Sequence, residues 1–220
     1  MLYHKWEYTA KSDEVTVVQP DGCCDVILIS HADAPAKIKV TEWDMQPYAV
    51  RVLAGTSFSG YRLRPGASLS PQIFTHEELE KAELEDVIES QTNSDPEICE
   101  IIDALTQPNA TVKSIARQTG VTTRTLQRRF SHLSLPVPDF WRLLGRARRS
   151  ARALAVAVPL KDIAHAYGYS DQAHMTREFV RWFGHSPTQI RENKTMVYEI
   201  CQPGLGGWLN DNHSEIRHLF

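Results

Sequence analysis

From Thr111 onward the apolar residues fall at three- and four-residue intervals, and one arrangement of them occurs twice. The first copy is TVKSIARQTGVTTRTLQRRF (Thr111–Phe130); the second is PLKDIAHAYGYSDQAHMTREF (Pro159–Phe179). In the first, Val112, Ile115 and Ala116 share a helical face, and Gly120 stands where that helix must end. Thr122 offers a hydroxyl to cap a second helix, in which Leu126 and Phe130 define the buried side. The second copy repeats the pattern with Leu160, Ile163, Ala164 and Gly168, then Ser170 or Asp171 as cap, then Met175 and Phe179. The copies lie 48 residues apart before the turn and 49 after it, so the second turn carries one extra residue. Each predicts a helix, a tight turn and a second helix.

This is the layout of a DNA-reading helix-turn-helix, whose second helix enters the major groove. The polar positions left outward are Thr123, Arg124, Gln127 and Arg128 in the first copy. In the second they are Gln172, Ala173, His174, Thr176 and Arg177. Between the copies, Phe140, Leu143, Leu144, Ala147, Ala151 and Leu154 recur at helical intervals, predicting a helix over 138–156. Arg142, Arg146, Arg148, Arg149 and Arg152 occupy its remaining positions. Such a helix spans roughly 28 Å, near the roughly 34 Å between successive major-groove faces on one side of a duplex. A last element, HSPTQIRE, has Ser186 as cap, Pro187 at the first helical position and Gln189 at the capping-box position.

The first 75 residues instead read as β structure. VTVVQPDGCCDVILIS is two β-rich runs about a Pro-Asp-Gly turn, and KIKVTEW, YAVRVLAG and SGYRLRPG add three more. Five or so strands suit a small sheet or an incomplete barrel with a modest core. HEELEKAELEDVIES then reads as a helix with Leu79, Ala82, Val87 and Ile88 on one face. QTNSDP breaks it, and PEICEIIDAL restarts a helix with Ile98, Ile101, Ile102 and Leu105 inward. After Lys194, MVYEICQ suits a strand, PGLGG a turn and WLNDNHSEIRHLF a short amphipathic helix. That tail packs back on the N-terminal domain or pairs subunits; its sequence favours neither.

Charge sharpens the division. Residues 107–194 hold 15 Lys/Arg and 5 Asp/Glu, a net of +10, while the remaining 9 and 22 give −13; together they recover the chain's −3. A basic module of this kind suits a polyanion, with salt-dependent affinity from counterion release. His76–Asp103 carries 11 Asp/Glu against Lys81 and is expected as a solvated connector; the alternative is an acidic segment folded on the arginine face in competition with DNA. Cys23, Cys24, Cys99 and Cys201 show no disulfide framework or zinc spacing. The vicinal Cys23-Cys24 pair is a thiol sensor or soft-metal site, or one of the two is simply core on an alternating strand. No signal peptide or 18-residue apolar run is present, so a soluble cytoplasmic protein without membrane partners is expected. No catalytic constellation or metal triad stands out, and neither an enzyme nor a cofactor is expected.

Residues 111–191 resemble the DNA-binding domain of the AraC/XylS family of bacterial transcription regulators. The resemblance rests on Ile115-Ala116, Gly120, Leu126-x-Arg128-x-Phe130, Ala153-Leu154, Ile163-Ala164, Gly168-Tyr169, Arg177-x-Phe179, Phe183-Gly184 and Ser186-Pro187 with Arg191. It implies a seven-helix domain with two helix-turn-helix units, and a separate N-terminal sensing or oligomerising domain. The glycine usual shortly after the first Phe is missing, and Pro136 and Pro138 fall in that loop. PDGCCDVI and GYRLRPGA resemble the short cupin-like N-terminal domain of some of these regulators.

The fold expected is therefore α+β. It comprises a β-rich domain over 1–75, an acidic helical connector over 76–106, an all-α DNA-binding domain over 107–194 and a tail over 195–220. The function expected is sequence-specific transcription regulation on double-stranded DNA at the bacterial nucleoid. RNA polymerase, a small-molecule effector and a second subunit are the further candidate partners. Arg124, Gln127 and Arg128 are the base-reading candidates of the first unit, and Gln172, His174, Thr176 and Arg177 those of the second. Arg129, Arg146, Arg149 and Arg181 are candidate phosphate partners. For Arg128 and Arg177 the alternative is an ion pair that braces the helix. The rival functions are a non-specific architectural DNA-binding protein and, more remotely, a DNA-associated enzyme.

Overall fold

The computed structural model describes residues 1–32, 34–74 and 81–208. The expected start of the acidic helix at 76–80 and most of the tail helix lie outside these residues. The described chain forms two compact units.

The first unit comprises Met1–Val18, Cys23–Trp43 and Tyr48–Cys99. Its strands are β1 (Tyr3–Thr9), β2 (Glu14–Val18), β3 (Asp25–His31), β4 (Ala34–Val40), β5 (Tyr48–Val52) and β6 (Ser57–Leu63). One antiparallel sheet has the order β1-β6-β3-β4, and β2 pairs separately with β5. The two runs about Pro-Asp-Gly are thus β2 and β3, but they belong to different sheets. β1 is a strand beyond the five expected; its Lys5, Glu7 and Thr9 are exposed, so it lacks the apolar run that marks the others. Trp6 lies opposite Gly60 in the register, and a Cβ at Gly60 would overlap the Trp6 indole. The glycine is what lets β1 close on β6 there.

The core of this unit joins Val26, Tyr61 and Leu63 to Leu84 and Ile88 of α1 (Lys81–Gln91), all fully buried or nearly so. The acidic segment is therefore not simply a solvated connector. A one-turn spacing puts Leu84 and Ile88 on one face, and the neighbouring acids bond to the sheet. Lys5 Nζ meets Glu85 at 2.6 Å, Tyr61 donates to Glu85 at 3.0 Å and Tyr3 donates to Glu89 at 3.2 Å. Glu85 and Glu89 thus serve the sheet of their own unit. Cys23 and Cys24 are both buried just before β3, and all four cysteines are thiols rather than disulfides. α2 (Pro96–Leu105) has Asp95 accepting from the backbone of Glu97 and Ile98, and buries Ile98, Ile101, Ile102 and Leu105 as expected.

The second unit contains the chain from Glu100 onward together with Gln19–Gly22 and Asp44–Pro47. After α2 come α3 (Val112–Gln118), α4 (Thr123–His132), α5 (Pro138–Arg152), α6 (Leu160–Ala166), α7 (Gln172–Phe183), α8 (Pro187–Glu192) and α9 (Lys194–Ile200). Among the described residues, α3 to α8 lie within the 107–194 domain that the resemblance implies, and α9 runs on into the stretch expected as a tail. α5 touches α3, α4, α7 and α9 and is the spine of the unit. Phe140 packs edge-on against Trp182 of α7, with centroids 5.7 Å apart.

Two expectations are corrected here. α5 stops at Arg152, passes into a 3-10 turn over Ala153–Ala155, and Val156 is extended. The residue before Pro159 disfavours helix, and the β-branched Val156 and Val158 do not oppose the break. Its 15 residues span about 22 Å rather than 28 Å. Second, MVYEICQ is helical: Asn193 caps α9 by accepting from the Met196 N–H, and Val197 and Ile200 are buried three apart. Burial on the α5 side overrides the β-branched propensity of that run.

The arginines of α5 are not one exposed stripe either. Arg148 is 1% exposed and donates to the carbonyls of Gln202 at 2.8 Å, Pro20 at 3.2 Å and Leu205 at 3.3 Å. Arg152 donates to the Gly206 carbonyl, and burial lowers its pKa from the ordinary arginine value while raising that of Cys201. The glycine-rich stretch after α9 therefore lies on α5 as a strap whose carbonyls receive guanidinium groups. A Cβ at Gly207 would overlap Arg152, which explains a glycine in contact with an arginine side chain.

Candidate nucleic-acid interface

The two helix-turn-helix units are built alike. Thr111 accepts from the Ser114 N–H at 3.0 Å while Ser114 Oγ accepts from Thr111, so α3 starts with a reciprocal cap. It ends with Gly120 at φ +71°; the Val121 N–H donates to Ala116 O at 2.9 Å and Gly120 N–H to Arg117 O at 3.2 Å. α6 ends with Gly168 at φ +73°; the Tyr169 N–H donates to Ala164 O at 2.9 Å and Gly168 N–H to His165 O at 3.2 Å. Both are the same double-bonded helix stop, which needs a left-handed residue at that one position. Thr122 then caps α4 through Thr125 N–H, and Asp171 caps α7 through His174 N–H at 2.6 Å. Of the two expected caps, Asp171 is used, and this hydrogen bond holds its carboxyl below the usual aspartate range, with a smaller contribution from Arg177.

Leu126 and Phe130 of α4, and Met175 and Phe179 of α7, are wholly buried. Burying a side chain of this size contributes roughly 1.5–3 kcal/mol, so each pair fixes which way its helix faces. The opposite face of α4 exposes Arg124, Gln127 and Arg128, which among the described residues make no side-chain hydrogen bond or ion pair. On α7, Gln172 and Arg177 are exposed while His174 and Thr176 are half-buried. Thr176 donates its hydroxyl to Gln172 O at 2.9 Å. His174 accepts at Nδ1 from the Ser170 N–H at 3.3 Å.

The four candidate phosphate partners divide. Arg181 is exposed and stacks over Trp182 at 4.8 Å; Arg129 is half-buried. Arg146 and Arg149 line a cleft of about 270 Å³ with Arg142, Asn109 and Tyr167, and each is tied to neighbours. Arg146 pairs with Glu178 at 3.6 Å, donates to Gly168 O at 3.2 Å and stacks 4.4 Å from the Tyr169 ring. Arg149 donates to Thr106 O and faces Tyr167 at 6.0 Å. Arg146 thus ties α5 to the second helix-turn-helix, and Arg149 ties α5 to the end of α2 and to Tyr167. Tyr169 itself is buried, and burial pushes its phenol up to about 12, so it stays protonated on Ser150 Oγ at 3.1 Å. The roles of Arg148, Tyr169 and Ser170 escape sequence reasoning; the only sequence signal for the last two is the extra residue in the second turn. At the end of the domain, Ser186 and Gln189 form the expected reciprocal cap.

The family described as "Helix-turn-helix domain" matches residues 102–193. The HTH-type transcriptional regulator VirS of Mycobacterium tuberculosis is 40% identical over 82 residues, 36% of this chain and 23% of VirS. The chain thus spans about a quarter of that relative's length. The probable transcription factor PqrA of Proteus vulgaris is 36% identical over 98 residues, covering 41% of this chain and 75% of PqrA. The crystal structure of ToxT from Vibrio cholerae aligns with a TM-score of 0.51 over 87% of this chain and 98% of ToxT, at 9% identity, a likeness of fold. ToxT bound to (E)-4-(8-methylnaphthalen-1-yl)but-3-enoic acid aligns at 0.50, covering 90% of this chain and 100% of ToxT, at 10% identity.

Proposed function

The chain belongs to the AraC/XylS family of transcription regulators, and from that premise we propose that it is a one-component regulator reading two major-groove segments of DNA with α4 and α7. The observation that carries this is the pair of matched helix stops, each followed by a helix with a buried apolar pair and an outward polar set. Arg124 and Arg128 suit guanine O6/N7 and Gln127 suits adenine N6/N7 by hydrogen-bond geometry; Gln172, His174, Thr176 and Arg177 take the second segment. Arg129 and Arg181 neutralise phosphates, which position the protein without specifying sequence. Arg146, given its partners, braces the second helix-turn-helix on α5, and Arg149 braces α5 on the end of α2.

The first unit is the seat of control in this reading. ToxT with its bound carboxylic acid motivates a small-molecule effector, and a second subunit and RNA polymerase are the protein partners proposed. Among the described residues no helix is long and apolar enough to cross a membrane; the site of action proposed is the nucleoid. The test is selection of random duplex DNA by the purified full chain. Enrichment of one sequence with two informative blocks supports the proposal; recovery of unenriched DNA at equal affinity overturns it in favour of architectural binding.

A further inference from the structure

The two turns differ by one residue, and that residue has a structural consequence. Val121 and Thr122 lead from Gly120 into α4, whereas Tyr169, Ser170 and Asp171 lead from Gly168 into α7. Since Asp171 supplies the cap, Ser170 is left over, and both its polar groups meet one atom. The Ser170 N–H donates to His174 Nδ1 at 3.3 Å, and Ser170 Oγ lies 3.1 Å from the same nitrogen. A backbone N–H can only donate, so Nδ1 must carry a lone pair. The neutral ring then has its proton on Nε2, at the far edge of the imidazole. Tyr169 fixes the plane of the ring, edge-to-face at 5.4 Å and 89°. Tyr169 is in turn held by Ser150 and beneath Arg146. The ring is thus preset in both tautomer and orientation before DNA arrives.

We infer that His174 is a fixed Nε2–H donor that selects a guanine in the second major-groove segment. The inference rests on the reading of α7 as a base-contacting helix. Guanine presents two acceptors in the major groove, N7 and O6, and no donor beside them. Adenine sets its single N7 acceptor beside an amino donor, thymine sets O4 beside a methyl group, and cytosine presents only the N4 amino donor; the two-acceptor edge of guanine is the best match, and cytosine is refused by a donor that cannot switch tautomer without breaking with Ser170. A glutamine or a mobile histidine lacks this constraint, since either can present an acceptor.

The test has two arms on the full chain. Long-range ¹H–¹⁵N correlation of His174 in the DNA-free protein should show Nε2 protonated and Nδ1 bare; a proton on Nδ1 overturns the inference whatever the DNA results. In the second arm, DNA selected by wild type, His174→Ala and His174→Gln is compared. One guanine should lose its preference in His174→Ala and shift toward adenine in His174→Gln. Replacing that guanine by 7-deazaguanine should weaken wild type roughly 5- to 150-fold, the span of 1–3 kcal/mol for a base contact, and leave His174→Ala unaffected. A cytosine at the His174-dependent position, or no such position while the other block persists, overturns the inference alone. Loss of selectivity by wild type everywhere overturns the proposed function instead.

Discussion

Replacing Arg148 by Ala separates the buried arginine seen here from the exposed one that the helix pattern suggests. Three carbonyls lose a charged donor, those of Gln202, Pro20 and Leu205. Hydrogen bonds to charged groups contribute about 1.5–3 kcal/mol each, a gross loss of about 4.5–9 kcal/mol. Those values already include the exchange of water, and the three bonds share one buried guanidinium, so they do not add in full. The net expectation is destabilisation by about 2–4 kcal/mol. For a unit somewhat over a hundred residues long, that lowers Tm by about 8–20 °C at several degrees per kcal/mol. Urea and thermal unfolding of the full chain measure it directly. Arg148→Lys should recover only part, since one ammonium cannot span three carbonyls in the fork geometry of a guanidinium. In folded Arg148→Ala, the salt dependence of DNA affinity should be unchanged. A variant of wild-type stability whose salt slope is flatter by about one would refute the buried assignment and make Arg148 an exposed phosphate contact.

The partitioning of the other cations is open to similar tests. Arg181→Ala should weaken every DNA sequence alike and flatten the salt slope by about one, whereas Arg149→Ala should lower Tm through loss of the Thr106 carbonyl and leave the slope intact; the reverse pattern would exchange their roles. Gly168→Ala forces a left-handed alanine and should cost about 1–2 kcal/mol, read by urea denaturation; an unchanged midpoint would contradict the helix stop. Asp171 has a depressed folded pKa, so its contribution to the α7 start is present above its unfolded pKa and lost as pH falls through the folded value. The protection factors of amides in the first turn of α7 should therefore drop as pH falls below the ordinary aspartate range, and Asp171→Ala should show the low protection at every pH.

Both helix-turn-helix units were legible because their determinants are local. Ile-Ala, a left-handed glycine, a cap and a Leu/Met–Phe pair four apart act within twenty residues. α5 was half legible: Phe140, Leu144 and Ala147 gave its inner face, but the strap of residues 202–206 covers a second side. That cover comes from more than fifty residues downstream, and its carbonyls leave no trace in an arginine's own neighbourhood. The same non-local effect hid α1's place on the sheet, since a helix with four acids reads as solvated until Tyr3, Lys5 and Tyr61 are seen to donate to two of them. Strand β1 failed to register because Lys5, Glu7 and Thr9 point outward. MVYEICQ misled because its β-branched run is overridden by burial of Val197 and Ile200.

Methylation interference on the selected DNA tests the central claim most directly. The account predicts two patches of major-groove guanine contact centred about 10 bp apart, with Arg124→Ala erasing dependence in one patch and Arg177→Ala in the other. A single patch, or loss of both patches in either variant at unchanged fold, would contradict two helices reading separate groove segments.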